Sequence, residues 1–197
     1  MSKDSAFHNL IEDIANGCAC IDARGIPHKN FQPGVGPYGE PQLVKCIQDY
    51  LDSLPAYSGL AKTKRTPDLL VKGHWAIEFK IARPFGDNGA EAENWSVNLL
   101  HPYAGNVSVI GDCLKLHDWL GVERRVAVVV GYEHVTPLIS LDPLISSFEA
   151  VAKQVLPFQL SARVESRRTG LRHPVHQVVR IIGWEVPTRD VPDPLNR

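Results

Sequence analysis

Apolar residues recur along the chain with two distinct periods. Over residues 7–15, Phe7, Leu10, Ile11 and Ile14 fall on one side of a helix. Residues 40–54 repeat that spacing through Leu43, Ile47, Tyr50, Leu51 and Leu54, with Pro41 at a first-turn position after Gly39. Helical spacing returns over 107–120 through Val107, Ile110, Leu114 and His117, and over 143–156 through Leu144, Phe148, Val151, Ala152 and Val155. Between these helices, residues 125–132 hold the uninterrupted run Val126-Ala127-Val128-Val129-Val130, the pattern of a strand buried on both faces. Strands are also predicted over 56–61 and 175–186. Residues 18–39, rich in Gly and Pro, read as irregular. Gly34-Val35-Gly36 without a following Lys-Ser/Thr does not by itself make a phosphate loop.

The period switches to two over residues 66–80, which read as two short strands joined at Gly73. A three-residue loop of Lys72, Gly73 and His74 places Val71 opposite Trp75 and, continuing outward, Asp68 opposite Glu78. Cβ atoms of facing residues lie about 5 Å apart, close enough for two carboxylates to grip one cation. Lys80, two residues beyond Glu78, projects from the same face. The other face then carries Leu69, Val71, Trp75, Ile77 and Phe79. A two-residue loop would send the two acids to opposite faces and break up this apolar set. The apolar sorting therefore selects the three-residue loop.

Two facing carboxylates raise one another's pKa, and a divalent cation such as Mg²⁺ offsets that repulsion. An ammonium beside them can polarise a water or stabilise charge on a phosphate. The residues Pro67-Asp68 followed by Glu78-Phe79-Lys80 resemble the signature of the PD-(D/E)XK nuclease superfamily, which includes restriction endonucleases and DNA-repair nucleases. The resemblance implies that Asp68 and Glu78 bind Mg²⁺, with Mn²⁺ able to substitute, and that Lys80 assists the attacking water. It also implies a further Glu from the preceding helix, matched here by Glu40, which lies three residues before Leu43 and so starts the inward stripe. The implied activity is Mg²⁺-dependent endonucleolytic cleavage of DNA. The alternative on the same fold is a non-catalytic DNA-binding or assembly module. In a third reading, Asp68, Glu78 and Lys80 form a surface charge cluster on another α/β fold.

The order of helices and strands predicts an α/β protein with a central mixed β-sheet flanked by helices, in agreement with a restriction endonuclease-like core. The expected organisation is one domain over 1–197: an N-terminal helix and irregular extension over 1–39, a core over 40–156, and a C-terminal strand with a basic segment over 157–197. At 197 residues and 44% hydrophobic content, the chain can bury a full core. Its formal net charge of −1 shows no global basic field, so any nucleic-acid contact must be local. Candidates are Lys62, Lys64 and Arg65 ahead of the motif, Arg83 just after it, and Arg163, Arg167, Arg168 and Arg172 in the most basic stretch, where Arg180, His173 and His176 also lie. His173 and His176 are expected to be solvent-exposed. Asp112, His117 and Asp118 are expected to serve packing or the surface. Cys18, Cys20, Cys46 and Cys113 are too scattered for a standard zinc module and read as reduced thiols. Residues 84–106 read as a long polar loop with a short helix around 91–99, in which Asn94, Trp95, Asn98 and His101 could cover the site. No apolar stretch reaches membrane-spanning length, which makes cytoplasmic location the default, with DNA as the expected partner and a homodimer allowed.

Overall fold

The apolar stripe that begins at Phe7 does not stop at residue 15. Cys18 and Ile21 continue it at helical spacing, and both are buried, so one helix runs through the stretch read as irregular. The computed structural model describes residues 3–102 and 108–189. Its elements are α1 (Lys3–Ala23), α2 (Glu40–Ser53), β1 (Ala61–Thr63), β2 (Leu69–Val71), β3 (Trp75–Ala82), α3 (Val97–Leu100), α4 (Val109–His117), β4 (Arg124–Glu133), α5 (Asp142–Val155), β5 (Val164–Thr169) and β6 (Val178–Val186). Val107, expected to open α4, and residues 103–106 of the expected loop lie outside the described residues.

The six strands form one mixed sheet in the order β1-β2-β3-β4-β6-β5. Among the described residues, only β3 and β4 run parallel; the remaining neighbours pair antiparallel. In β4, Val126, Val128 and Val130 pack into one core, and Ala127 and Val129 pack into the other. This is why its sequence lacks alternation. On the first face lie α1 and α2, contributing Phe7, Leu10, Ile11, Leu43 and Ile47. The second is covered by α4 and α5, through Ile110, Leu116, Ile145 and Phe148. The expected α/β architecture, a mixed sheet flanked by helices, is therefore present. Among the described residues, no helix is long and apolar enough to cross a membrane.

One strand expectation needs correction, and one strand was not expected. Residues 56–60 form turns rather than strand, because the amides of Tyr57 and Leu60 close back on the carbonyls of Leu54 and Tyr57. Within the basic stretch, residues Val164–Thr169 form an edge strand, β5, paired along β6. Its alternating burial was hidden by its charge, since only Val164 and Ser166 are buried. In the N-terminal region, α1 packs on both α2 and the β5–β6 side of the sheet.

The 24–39 linker returns to the sheet through a close backbone approach. A Cβ on Gly36 would stand 2.3 Å from Nδ1 of the buried His176 and 2.4 Å from its Cβ. The Gly36 carbonyl also accepts a 2.7 Å hydrogen bond from Arg83 Nη1. Gly36→Ala is expected to destabilise the protein by about 1–3 kcal/mol through this overlap. Urea denaturation measures it: an unchanged midpoint would show that the linker does not sit this tightly.

Candidate active site

The β2–β3 hairpin closes through residues 72–74, with Gly73 at φ +75, a left-handed conformation that favours glycine. Its pairs are Val71 with Trp75, Leu70 with Ala76 and Leu69 with Ile77. This is the register the apolar pattern selects. Leu69, Val71, Trp75, Ile77 and Phe79 all lie in the same core, as expected. Asp68 stands just outside β2, and its Oδ2 accepts a 2.8 Å hydrogen bond from the Phe79 amide. That bond fixes the carboxylate against β3 beside Glu78.

Glu78 is only 3% exposed, and its Oε1 has no hydrogen-bond partner. Burial, followed by the nearby Asp68 carboxylate, pushes its pKa up to about 9. Lys80 is 8% exposed and lies between two helices on opposite faces of the sheet. Its Nζ stands 2.9 Å from Asp112 Oδ2 of α4 and 3.4 Å from Glu40 Oε1 of α2, and it donates to the Phe79 carbonyl at 2.9 Å. Burial alone would lower the ammonium pKa. Asp112 and then Glu40 reverse that effect and hold it above its ordinary value. Burial raises the Glu40 carboxyl, with Lys80 opposing.

The structure thus brings together all four residues singled out for chemistry, Asp68, Glu78, Lys80 and Glu40. It adds a fifth that the sequence reading assigned to packing or the surface. Asp112 is 1% exposed and pairs with Lys115 at 2.7 Å as well as with Lys80. The residues turned inward on α4 are Val109, Ile110, Cys113 and Leu116, with Asp112 among them. The predicted stripe of Val107, Ile110, Leu114 and His117 was rotated, which left Asp112 off it. An aspartate three residues after Val109 and four before Leu116 was the available signal. His117 instead stacks on Phe158, and Asp118 ends the helix.

The remaining cations do not share one surface. Lys64 and Arg65 line a small cleft with Glu40 and Asp68, of about 310 Å³, while Lys62 is exposed on β1 beside it. Arg83 lines a second cleft, of about 450 Å³, on the other side of Glu40. Arg167 and Arg168 lie on β5, at the sheet edge farthest from β1, with Arg163 just ahead of that strand. There Arg163 pairs with Glu149 and Arg168 with Glu12 and Asn16. Arg172 donates to Asp22 through its amide and to the Ala23 carbonyl through its side chain. Arg168 and Arg172, expected to contact nucleic acid, therefore serve to hold α1 and its exit. His173 and His176, expected in solvent, are buried and stacked with ring centroids 4.4 Å apart. His173 Nδ1 accepts from the Val175 and His176 amides, so its Nε2 faces Asp87 as a donor at 2.8 Å.

The four cysteines are free thiols, and burial pushes Cys18 up to about 12. Among the described residues, no group of three or more His, Cys, Asp or Glu side chains is placed to hold a metal. The two carboxylates nonetheless fit a divalent cation that takes its other ligands from substrate and water, the usual mode for Mg²⁺. The unpartnered, buried Glu78 oxygen is the structural mark of that fit.

No family model matches the chain, and no solved structure matches it. Among curated proteins, it is 24% identical to human (Homo sapiens) serine/threonine-protein kinase MAK over 207 residues, covering 91% of this chain and 31% of the kinase. MAK of Rattus norvegicus and of Mus musculus align at 24% over 199 residues with the same coverage. The chain thus spans about a third of the length of these relatives. The finding corrects the expectation of a DNA endonuclease, and that of a DNA-binding module on a nuclease fold. The matched relatives are named as serine/threonine-protein kinases. In the light of this match, Gly34, Gly36 and Gly39 have the Gly-x-Gly-x-x-Gly spacing of a kinase phosphate loop. Here the segment runs into α2 instead of turning between two strands, and the chain carries no His-Arg-Asp or Asp-Phe-Gly sequence.

Glu78 provides a test of the cluster that needs no substrate. Its pKa rises from 4.5 to about 9 on folding, so the folded protein keeps a proton that the unfolded chain has released. Stability of the metal-free protein should therefore fall as pH rises across that window. Glu78→Gln should flatten the profile and raise the melting temperature at alkaline pH, by about 2–4 °C per kcal/mol of relief. Mg²⁺ should stabilise the wild type more than the variant. Melts between about pH 5 and pH 9 decide the matter, and parallel profiles for the two proteins would refute the raised pKa.

Proposed function

We propose that the chain is a divalent-cation-dependent phosphoryl-transfer enzyme, with its reaction centre at the carboxyl end of β3. The observation that carries this reading is the meeting of two adjoining carboxylates, Asp68 and Glu78, with a lysine fixed by acids from both helical layers. A cation bound by Asp68 and Glu78 would neutralise charge on the phosphoryl oxygens. Lys80 meets the transferring group as a fixed positive charge, held in place by Asp112 and Glu40 so that it needs no reorganisation during the reaction. Glu40, with its carboxyl raised by burial, lines both clefts and is placed to accept the proton of an incoming hydroxyl.

Two further observations favour transfer to a hydroxyl acceptor. The relatives are named as serine/threonine-protein kinases. Protein kinases also use a strand lysine paired with a helix glutamate, and here Lys80 on β3 meets Glu40 on α2. The sheet order and the position of the Pro67-Asp68 and Glu78-x-Lys80 residues further support a core of the restriction endonuclease-like plan. In this reading, such a core serves phosphoryl transfer.

The test is to incubate the purified protein with γ-labelled ATP, Mg²⁺ or Mn²⁺, and a serine-rich protein or a small alcohol as acceptor. Label should reach the acceptor, and chelation should abolish transfer. Asp68→Asn and Lys80→Ala should each lower the rate on the order of 10²–10³-fold, whereas Arg167→Ala on the distant edge should not. Asp112→Asn should shift the alkaline limb of the rate profile to lower pH, because Asp112 raises the Lys80 pKa. Failure of the folded wild type to move label to any of these acceptors would refute the reading.

A further inference from the structure

Beside the carboxylate–lysine cluster lies the larger cleft, of about 450 Å³, with Glu40 on its rim. Its lining brings Phe31 from the linker together with Phe85 and Trp95 from the segment after β3. Phe31 remains 42% exposed, and Trp95 is half-buried. The polar groups in the lining are Arg83, Asp87 and Asn98, along with Glu40. Small-molecule sites typically enclose about 300–1,000 Å³ and combine aromatic walls with a few polar groups.

The walls are pre-formed. Asp87 Oδ1 accepts from the Gln32 amide at 3.0 Å, which ties the Phe31 loop to the segment after β3. The same oxygen faces His173 Nε2, so the tie is anchored in the buried histidine pair. Phe85 is held in turn, since its carbonyl meets His176 Nε2 at 2.9 Å and its ring packs edge-on against His134. Gly86 and Ala90 close the turn between them with a 2.8 Å hydrogen bond. A cleft held open in this way binds without first ordering its loops.

We propose that this cleft holds the base of a nucleoside phosphate, whose phosphate end points past Glu40 towards Lys80. Three aromatic side chains suit a flat heterocycle, which stacks on such rings regardless of its identity. Asp87 and Asn98 offer an acceptor and an amide to the base edge. Arg83 spends Nη1 on Gly36, and a guanidinium carries further donors for a phosphate. The chemistry selects against other occupants. A bare phosphate or sugar phosphate would leave the aromatic walls unused, and an acyl chain would offer no partner to the remaining donors of Arg83 or to Asn98. Beyond Glu40 the cleft meets only the short cationic group of Lys64 and Arg65, and the arginines of the β5 edge lie across the sheet, so no long track continues for a polynucleotide. Only the direction of the phosphates rests on the phosphoryl-transfer reading.

Calorimetric titration of the full chain in EDTA tests the cleft without the metal, using adenosine, guanosine, cytidine and uridine monophosphates against ribose 5-phosphate. At least one mononucleotide should bind saturably, and ribose 5-phosphate should not. Trp95→Ala and Phe31→Ala should each weaken that binding by about tenfold or more, while Phe31→Tyr, which keeps a ring, should retain most of it. Both positions are partly exposed, so the variants should fold, which circular dichroism verifies. Asp68→Asn should keep mononucleotide binding while losing transfer. Absence of saturable binding for all four, equal binding of ribose 5-phosphate, or indifference to both ring deletions would overturn the proposal. Transfer activity without nucleotide binding here would remove the cleft and leave the phosphoryl-transfer reading standing. Binding without any transfer would do the reverse.

Discussion

The site depends on one buried ammonium. Lys80 is clasped by Asp112 from the α4 layer and by Glu40 from the α2 layer, so a single side chain at the end of β3 joins the two helical faces of the sheet. Removing an ammonium from water costs several kcal/mol, and only well-placed counter-charges recover that cost. The cluster over-supplies them. Glu40, Asp68, Glu78 and Asp112 gather around Lys80 and Lys115, four acids against two bases. The folded chain resolves the excess by keeping Glu78 protonated, and a divalent cation would resolve it by replacing that proton. In the proposed reading, proton and cation would compete for this one carboxyl, and the surplus of acid would serve metal uptake.

What could be read from the sequence followed the strength of local pattern. The hairpin register was legible because a shift of one residue would have exposed Leu69, Val71, Trp75, Ile77 and Phe79 together. β4 was legible from its uninterrupted valines, and α2 from its stripe and Pro41. β5 was not, because an edge strand with one solvated face can alternate valine and serine with glutamate and arginine and still pair fully along β6. Asp112 was missed for a different reason. Its role comes from a contact across 32 positions with Lys80, and helical periodicity registers a buried acid only as an interruption of the stripe. His173 and His176 resemble the same case in reverse: charge-capable residues in a basic run, they are buried with backbone amides, a carbonyl and the Asp87 carboxylate as partners. Burial holds His176 down at about 4, well below its ordinary value.

The arrangement of layers explains why chemistry gathers at this end of the sheet. In open α/β sheets, ligands settle in the crevice beyond the carboxyl ends of strands, where connections leave toward different faces. Here α2 enters from one face, while the chain leaving β3 passes through α3 and α4 on the other. Lys80, Arg83 and Phe85 follow one another out of β3 into that crevice. Glu40 meets them from α2 because the Gly34–Gly39 segment lies close enough to His176 to set the start of that helix. The two clefts on either side of Glu40 then have opposite character, Lys64 and Arg65 on one side and aromatic rings on the other.

That asymmetry also bears on the likeness to kinases. A glycine-spaced segment, a strand lysine and a helix glutamate occur in this chain, but in an order and a sheet unlike a nucleotide-covering hairpin. Function belongs to sites placed on folds, and one chemistry can be served by different scaffolds. The requirement on the scaffold is physical: a charge held rigid where phosphoryl oxygens arrive, acids able to bind a cation, and a dry wall to orient the rest of the donor. Under the proposed function, the clasp on Lys80 would supply the first, the register of the hairpin the second, and the loops pinned by Asp87 and the histidine pair the third. Each rests on a different long-range contact, so the site can exist only once the whole sheet and both helical layers have assembled.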